Sequence, residues 1–236
     1  MRKRNLLPHD IESLLEAARD FRYLLNRGFP RKPSLELVGN RYQLTFAQRH
    51  LLHRAIFSKS ESKWRRAKQV SLSYLRGKDL AIDGHNVLIT LEAGLRGRPL
   101  VLGDDGFVRD ISGLSKNYKA STQTDEALSL IFDLLKKAEP GNTLFLFDAP
   151  ISKSGELARR IEARLKREGI SGEAHAVKVP ENILNAFPGV VATSDTAILN
   201  LASRAIDLAG HILKRRLKPP SLTYRWWKVH CSPIQP

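Results

Sequence analysis

The stretch that decides the fold is Leu80-Ala81-Ile82-Asp83-Gly84-His85-Asn86, an apolar run that ends in aspartate just before a helix-forming segment. The same pattern recurs at residues 144–148 and 190–195. Short apolar runs that alternate with helical segments predict a parallel sheet covered by helices on both faces. Open α/β sheets bind ligands at the edge where the strands end. We therefore expect three aspartates to gather at that edge: Asp83, Asp148 and Asp195.

The remaining elements of this α/β region follow from hydrophobic periodicity and turn residues. Apolar runs predict strands at 79–83, 143–147, 173–179 and 190–193, and apolar stripes at helical spacing predict helices at 124–138, 154–168 and 195–213. Asp105-Gly106 between two apolar runs predicts a β-hairpin. The predicted fold class is α/β, a parallel sheet flanked by helices and preceded by a small all-α N-terminal region.

The N-terminal region is predicted to be helical. Apolar residues recur at helical spacing between Ile11 and Leu25, and Thr45 and Gln48 stand in capping-box relation before another apolar stretch. A few short helices form only a marginal core. We therefore expect them to pack on the larger domain or on a partner. The predicted division is a helical region at 1–60, a basic linker at 61–78, an α/β domain at 79–213 and a basic, aromatic tail at 214–236.

The composition narrows the class of partner. The chain has 39 Lys and Arg against 24 Asp and Glu, a formal net charge of +15, which favours nucleic acid because cations neutralise phosphates. Association with ribosomes without catalysis, or with an anionic membrane surface, would also explain such a net charge. No apolar stretch approaches the ~20 residues that span a bilayer. The single cysteine, Cys231, excludes an internal disulfide, and the chain is predicted to be cytoplasmic. One Met, one Cys and 27% charged residues also suit a thermophile.

Carboxylates that converge on one site indicate a divalent cation. They repel one another and raise each other's pKa unless a cation is present, and Mg²⁺ or Mn²⁺ prefers such oxygen ligands. Asp125 or Glu126, at a helix start, is a candidate fourth ligand, and Asp104 is a reserve ligand that more simply belongs to the turn. Asn86 either caps the next helix or orients Asp83.

Several residues are candidates for contact with a polyanion. Ser152, Lys153 and Ser154 stand where a helix begins, and helix N-termini bind phosphate; for Ser154 the alternative is helix capping alone. Trp64, Arg65 and Arg66 suit nucleic acid by charge and stacking, or else form a solvated helix face with Trp64 docked inward. The aromatic and basic residues 224–228 suit single-stranded nucleic acid, or pack on the protein's own surface. His50 and His53 are interpreted as surface or core residues rather than zinc ligands.

The three aspartate motifs are similar to the strand-end motifs of PIN-like domains, closest to the NYN ribonuclease branch. They are Asp83-Gly84-His85-Asn86, Phe147-Asp148-Ala149 and Thr193-Ser194-Asp195. Most of residues 1–213, including 109–113 and 147–157, also resembles an uncharacterised, largely archaeal family that joins a short helical region to such a domain. The resemblance implies a Rossmann-like sheet, an acidic pocket for Mg²⁺ or Mn²⁺, and hydrolysis of RNA by metal-activated water.

The resemblance carries Asp83, Asp148 and Asp195 over directly and leaves the remaining acid open. The interval between the second and last motifs offers Glu156, Glu162, Glu173 and Glu181, and Asp125 or Glu126 would fill the role from a different helix. The expected function is therefore a metal-dependent ribonuclease acting on RNA, such as tRNA or ribosomal RNA. The alternative is a non-catalytic RNA- or ribosome-binding protein on the same scaffold; a nucleotide-dependent transferase ranks last because no Gly-rich phosphate loop is present. A homodimer is compatible with the sequence.

Overall fold

A computed structural model describes residues 8–112 and 122–216, with side chains from residue 12 onward. The helices are α1 Pro8–Asn26, α2 Arg31–Arg41, α3 Phe46–Ala55, α4 Lys59–Lys68, α5 Gly84–Leu95, α6 Thr122–Ala138, α7 Ser154–Glu168, α8 Pro180–Ala186, α9 Thr196–Leu201 and α10 Leu208–Arg216. The strands are β1 Leu80–Asp83, β2 Leu100–Leu102, β3 Val108–Asp110, β4 Thr143–Asp148, β5 Gly172–Val177, β6 Val190–Ala192 and β7 Arg204–Ile206. The α/β fold class predicted from the sequence is confirmed.

Five strands form one parallel sheet in the order β5-β4-β1-β6-β7. The chain builds outward from β1 through β4 to β5, then returns to the other side of β1 with β6 and β7. This reversal of strand order is a topological switch point, and ligands of open α/β sheets bind there, outside the carboxyl ends of the strands. Asp83 ends β1, Asp148 ends the neighbouring β4, and Asp195 follows β6 on the other side.

Alternation along the strands separates two apolar layers, because successive side chains point to opposite faces. On one face, Leu80 and Ile82 of β1 join the large core with α5, α6, α7 and α10. On the other face, Ala81 packs with Leu184 of α8 and Ile198 of α9. Both faces are buried, which explains why these strands lack a polar side in the sequence.

The N-terminal helices have a core of their own and pack on the hairpin of β2 and β3. Leu14, Phe21 and Leu52 are among its fully buried residues, and Val101 of β2 belongs to the same cluster. The predicted capping box at Thr45 and Gln48 is confirmed. The prediction that these helices pack on the larger domain is also borne out by these contacts.

Two predicted segments differ from the structure. The helix expected at 195–213 is broken into α9, β7 and α10, because Arg204–Ile206 pair in parallel with β6 as an additional strand. Apolar spacing alone did not separate a three-residue buried strand from a helical stripe. The expected linker at 61–78 carries most of α4, which has its own capping box at Ser58 and Glu61. The backbone N–H of Val70 then bonds the carbonyl of Ala205, which fastens the segment to the sheet edge.

Over the part of the chain that the structure describes, no helix has the length and apolarity required to cross a membrane. The predicted tail at 214–236 begins too early, because Lys214, Arg215 and Arg216 form the last turn of α10. The aromatic and basic residues 224–228 and Cys231 lie outside the described residues, as do residues 113–121, which include the end of the 109–113 segment.

Candidate active site

A pocket of about 340 Å³ lies at the carboxyl edge of the sheet, at the switch point. All three predicted aspartates line it, as does the predicted Asn86. Its wall also includes two groups of residues that the sequence analysis did not assign to the site: His50 and Arg54 from α3, and Asp110 from the end of β3. The pocket is therefore closed jointly by the α/β domain and the N-terminal helices.

Asp83 is the most deeply buried carboxylate of the three, with 7% of its surface exposed. Its pKa is raised from the ordinary 3.8 to about 7, mainly by burial and in addition by the charges of Asp195 and Asp148, while a hydrogen bond from Thr193 acts in the opposite direction. The Thr193 hydroxyl donates to Asp83 Oδ2 at 2.7 Å. Because both other carboxylates raise this pKa, the three negative charges share one electrostatic environment.

Asp195 and Asp148 are each held by a local contact that engages one carboxylate oxygen. Asp195 caps α9, since its Oδ1 accepts from the backbone N–H of Ala197 at 2.7 Å and of Ile198. Oδ2 of Asp148 lies 3.0 Å from Nδ1 of His85. The cap was the structural alternative considered for Asp195 from the sequence, and it coexists with a place in the pocket.

His85 fastens the end of β4 to the start of α5. Besides its carboxylate contact, Nδ1 accepts from the Asp148 backbone N–H at 3.1 Å in one tautomer, and Nε2 lies 3.4 Å from Ser154 Oγ. Burial lowers the pKa of His85, and Asp148 opposes that shift. The ring is 4% exposed and packs edge-on against Phe147 at 5.1 Å. The position following Gly84 in the first motif was the only signal of this role in the sequence.

Asn86 does not orient Asp83 through its side chain. Its Oδ1 accepts from the backbone N–H of Ser194 at 2.8 Å and lies 3.0 Å from the Ser194 hydroxyl. Its backbone N–H instead favours the charged form of Asp83. Asn86 therefore ties α5 to the loop after β6, and Thr193 is the side chain that positions Asp83.

Gly84 is needed for close packing. A Cβ at this position would stand 2.2 Å from a ring carbon of Phe147. This close approach brings α5 against β4 and so brings His85 to Asp148. No local sequence pattern indicates it.

Arg54 places a positive charge in this acidic pocket. It follows His50 by four residues, so both lie on one face of α3. Nε of Arg54 is buried without a hydrogen-bond partner among the described residues. Burial, and after it the charge of Arg109, lowers the pKa of Arg54, while Asp195 and Asp110 act in the opposite direction. An arginine so placed is available to an anionic ligand.

Asp125 does not belong to the pocket. It is exposed on α6 and pairs with Arg160 of α7. The predicted fourth ligand is therefore wrong in placement, because the start of α6 is not at the switch point. Two other carboxylates line the pocket instead: Asp110, and Glu181 at the start of α8, one of the four glutamates that the family resemblance left open.

Asp104 and Asp105 lie in the hairpin turn as predicted, and each pairs with an arginine. Asp104, the reserve ligand, binds Arg22 of α1 through both carboxylate oxygens at 2.9 Å. Asp105 is fully buried and pairs with Arg109 at 2.7 Å. Neither carboxylate lines the acidic pocket, and Asp104 instead fixes the N-terminal helices to the hairpin.

The predicted phosphate contacts at the start of α7 are not assembled as expected. Ser154 is 2% exposed, and its hydroxyl donates to the carbonyls of Asp148 and Ile151 at 2.7 Å. It is not the N-cap, since Lys153 occupies that position with φ 65° and makes no side-chain cap bond. Ser152 and Lys153 are exposed on the loop after Asp148, outside the pocket lining.

The three residues of α4 that were candidates for nucleic-acid contact differ in exposure. Arg65 is 2% exposed and binds Asp105 and the side chain of Asn200, so it is a core residue rather than a nucleic-acid contact. Trp64, expected in one interpretation to dock inward, is 48% exposed with the Lys68 ammonium over its ring. Arg66 is exposed and donates to the Asp104 carbonyl at 2.7 Å.

Among the residues that the structure describes, no three or more His, Cys, Asp or Glu side chains stand arranged to hold a metal ion. The donor chemistry of the pocket nevertheless fits a hard divalent cation. Asp83, Asp148 and Asp195 offer carboxylate oxygens, and a cation would offset the burial and the mutual repulsion that together raise the pKa of Asp83. Binding would require the carboxylates to turn toward a common point.

Together, the sheet order and the pocket define an α/β protein with an acidic cavity at its switch point, completed by an N-terminal helical module. The chain belongs to the family described as Domain of unknown function (DUF5616), whose model matches residues 72–211. A second model, described as Protein of unknown function (DUF434), matches residues 13–68, the helical module. The chain is also similar to Uncharacterized protein MJ0935 of the archaeon Methanocaldococcus jannaschii, with 38% identity over 187 residues, 79% of this chain and 89% of that protein. No solved structure matches.

Proposed function

We propose that the protein is a metal-dependent ribonuclease that hydrolyses RNA phosphodiester bonds at the acidic pocket. The observation that carries this proposal is the shared electrostatic environment of the three aspartates, which end or follow three adjacent parallel strands. The similarity of the three motifs to those of PIN-like and NYN domains supports it, although neither family description mentions such domains.

The chemistry expected of this site follows from its donor set. Mg²⁺ or Mn²⁺ bound by Asp83, Asp148 and Asp195 would supply activation of water and stabilisation of the leaving oxygen. Thr193 holds the Asp83 carboxylate in place, and His85 holds that of Asp148. Arg54 would bind the phosphate as it approaches, which brings an anionic substrate into a pocket lined by carboxylates.

Asp83→Asn is the direct test, because it keeps the shape of the side chain and removes the charge. We expect RNA cleavage that depends on Mn²⁺ or Mg²⁺, and a loss of at least about 100-fold in this variant, since even residues outside the ligand sphere commonly cost 10–100-fold. The matched control is Asp125→Asn, which removes the same charge from an exposed position outside the pocket. Equal cleavage by both variants and the unsubstituted protein contradicts the proposal.

A second candidate is a non-catalytic RNA- or ribosome-binding protein. It is favoured by the local structural use of two pocket acids, since Asp195 caps a helix and Asp148 contacts His85. The net charge of +15 suits this function equally. It predicts tight, salt-sensitive RNA binding without metal-dependent cleavage, unchanged when the three aspartates are replaced by asparagine. For either candidate, we propose a cytoplasmic RNA such as tRNA or ribosomal RNA as the ligand.

A further inference from the structure

One face of α3 leads from solvent into the acidic pocket. Phe46, His50 and Arg54 are spaced by four residues, so their side chains follow one another along that face. His50 and Arg54 line the pocket, and Phe46, the first residue of the helix, lies beyond them with 86% of its surface exposed. This row of side chains is here called the α3 ridge.

The outer part of the α3 ridge is a pair of stacked rings. The Phe46 and His50 rings are nearly parallel, 11° apart, with centroids separated by 6.2 Å. Nδ1 of His50 lies 3.3 Å from the carbonyl oxygen of Ile111, so an Nδ1–H donor there would fix the orientation of the ring. The exposed aromatic surface is therefore anchored to the same hairpin that supplies Asp110 to the pocket.

The chemistry of the ridge changes along its length. An exposed aromatic face binds the π-face of any nucleobase, and a guanidinium in a partly buried pocket binds a phosphate. Base stacking at the outer end and phosphate binding at the inner end match successive parts of one nucleic-acid strand. Bases in a duplex are already stacked on their neighbours, so an outer platform of this kind selects an unpaired strand.

We propose that the α3 ridge guides a single-stranded RNA into the acidic pocket, with a base stacked on Phe46 and His50 and the adjoining phosphate bound by Arg54. This inference deepens the proposed ribonuclease function and rests on it for the fate of the bound strand. It assigns the N-terminal helical module the task of substrate selection, whereas the aspartates of the α/β domain act on the phosphodiester.

The test is RNA binding measured by fluorescence anisotropy in EDTA, with an unstructured labelled RNA oligonucleotide and a blunt RNA duplex of the same length. Phe46→Ala is expected to weaken binding of the single strand by about 5-fold to 150-fold, the range for loss of one base-stacking contact. The duplex affinity is expected to change by less than about 2-fold. Phe46→Trp should retain single-strand binding, because it keeps the stacking face.

Leu37→Ala on α2 is the matched control, since Leu37 is also an exposed large apolar residue, at 62%. Both positions are exposed, so neither substitution threatens folding. Single-strand affinity that falls equally in Phe46→Ala and Leu37→Ala, or in neither, overturns the proposal. An equal loss for duplex and single strand in Phe46→Ala also overturns it.

Arg54→Lys tests the inner end of the ridge while keeping the charge. We expect a raised KM for single-stranded RNA with a smaller change in kcat, since a lysine cannot form the same two-point contact with phosphate. Arg76→Lys is the control, because Arg76 is exposed and lies before β1, at the opposite end of that strand. Unchanged KM in Arg54→Lys overturns the assignment of the phosphate contact to this residue.

The two proposals fail separately. If Phe46→Ala weakens single-strand binding but the unsubstituted protein does not cleave RNA, the α3 ridge stands as a binding surface and the ribonuclease function fails. If Asp83→Asn abolishes metal-dependent cleavage and Phe46→Ala binds and cleaves normally, the ribonuclease function stands and the ridge does not guide the strand.

Discussion

Two groups of aspartates in this molecule, one in the hairpin and one in the pocket, have opposite electrostatic surroundings. In the hairpin, burial alone would raise the pKa of Asp105, but Arg109 and Arg65 lower it below its ordinary value. In the pocket, burial and neighbouring carboxylates raise the pKa of Asp83 to about 7. Within the described ranges, none of the three pocket aspartates forms an ion pair with a lysine or arginine. The hairpin acids are thus neutralised by arginines, whereas the described part of the chain gives the pocket acids no such partner.

The comparison separates acids that stabilise the fold from acids that cost stability. Loss of a buried carboxylate that pairs with arginine strongly destabilises the fold, because the arginine is left charged and unpaired. A buried carboxylate among like charges has the opposite effect, since its ionisation opposes folding. Strained electrostatics of this kind are typical of functional sites, where groups are held for a ligand at the expense of stability.

The largest expected change in stability comes from Asp105→Asn. Removing this charge leaves Arg109, which is fully buried, and Arg65, which is 2% exposed, without their common partner. We expect a loss of about 3–5 kcal/mol in the free energy of unfolding, measured by urea denaturation. A change below about 0.5 kcal/mol would show that this buried pair does not hold the hairpin.

Asp83→Asn is expected to change stability in the other direction. The folded pKa of Asp83 is raised, so between about pH 4 and pH 7 the folded state holds a proton that the unfolded state has lost, and stability falls as pH rises through this window. Three pKa units correspond to about 4 kcal/mol, an upper limit for the gain in Asp83→Asn at pH 8 in EDTA. Urea unfolding at pH 5 and pH 8 measures it; a loss of stability at pH 8 contradicts the account.

Gly84→Ala separates the effect of packing at the pocket from the effect of its charge, because it moves α5 and β4 apart without changing a charged residue. The added methyl group meets Phe147, whose ring packs against His85. We expect a loss of about 1–3 kcal/mol by thermal or urea unfolding, the usual cost of overpacking. Gly155→Ala is the control, because only the Arg159 guanidinium, 3.9 Å away, comes within 4 Å of the new Cβ. Equal stability of the two variants would show that Gly84 is not required for this close approach.

Asp125→Asn has the smallest expected effect. Its carboxylate is 64% exposed and pairs with Arg160 on the surface, where solvent screens the interaction. We expect a change in the free energy of unfolding within about 0.5 kcal/mol, and unchanged RNA cleavage. A large loss of RNA cleavage in Asp125→Asn would contradict its placement outside the active site.

The sheet and the position of its three aspartates at one edge could be predicted because the local sequence indicates where each strand ends. An apolar run followed by aspartate places that residue at the carboxyl edge, and parallel pairing brings the edges together. Asp125 was predicted for the site on the same reasoning, from its place at a helix start. The prediction failed because α6 does not follow a strand of the five-stranded sheet, whose carboxyl edge forms the pocket, but the separate hairpin of β2 and β3.

The α3 side of the pocket was beyond prediction from the sequence. His50 and Arg54 are separated from Asp83 by about 30 residues, and no local pattern relates a helix of the N-terminal module to the edge of the sheet. Their placement depends on tertiary contacts such as the pairing of Arg22 with Asp104. Likewise, Arg65 within a basic run reads as a surface residue, and only the buried Asp105 explains its inward position.

The most direct test of the central claim, that the three aspartates form one cation site, is a Mn²⁺ titration followed by the electron paramagnetic resonance signal of free Mn²⁺. The account predicts a bound ion in the unsubstituted protein and in Asp125→Asn, and loss of that ion in Asp83→Asn, Asp148→Asn and Asp195→Asn separately. Mn²⁺ binding that is the same in all five proteins would contradict it.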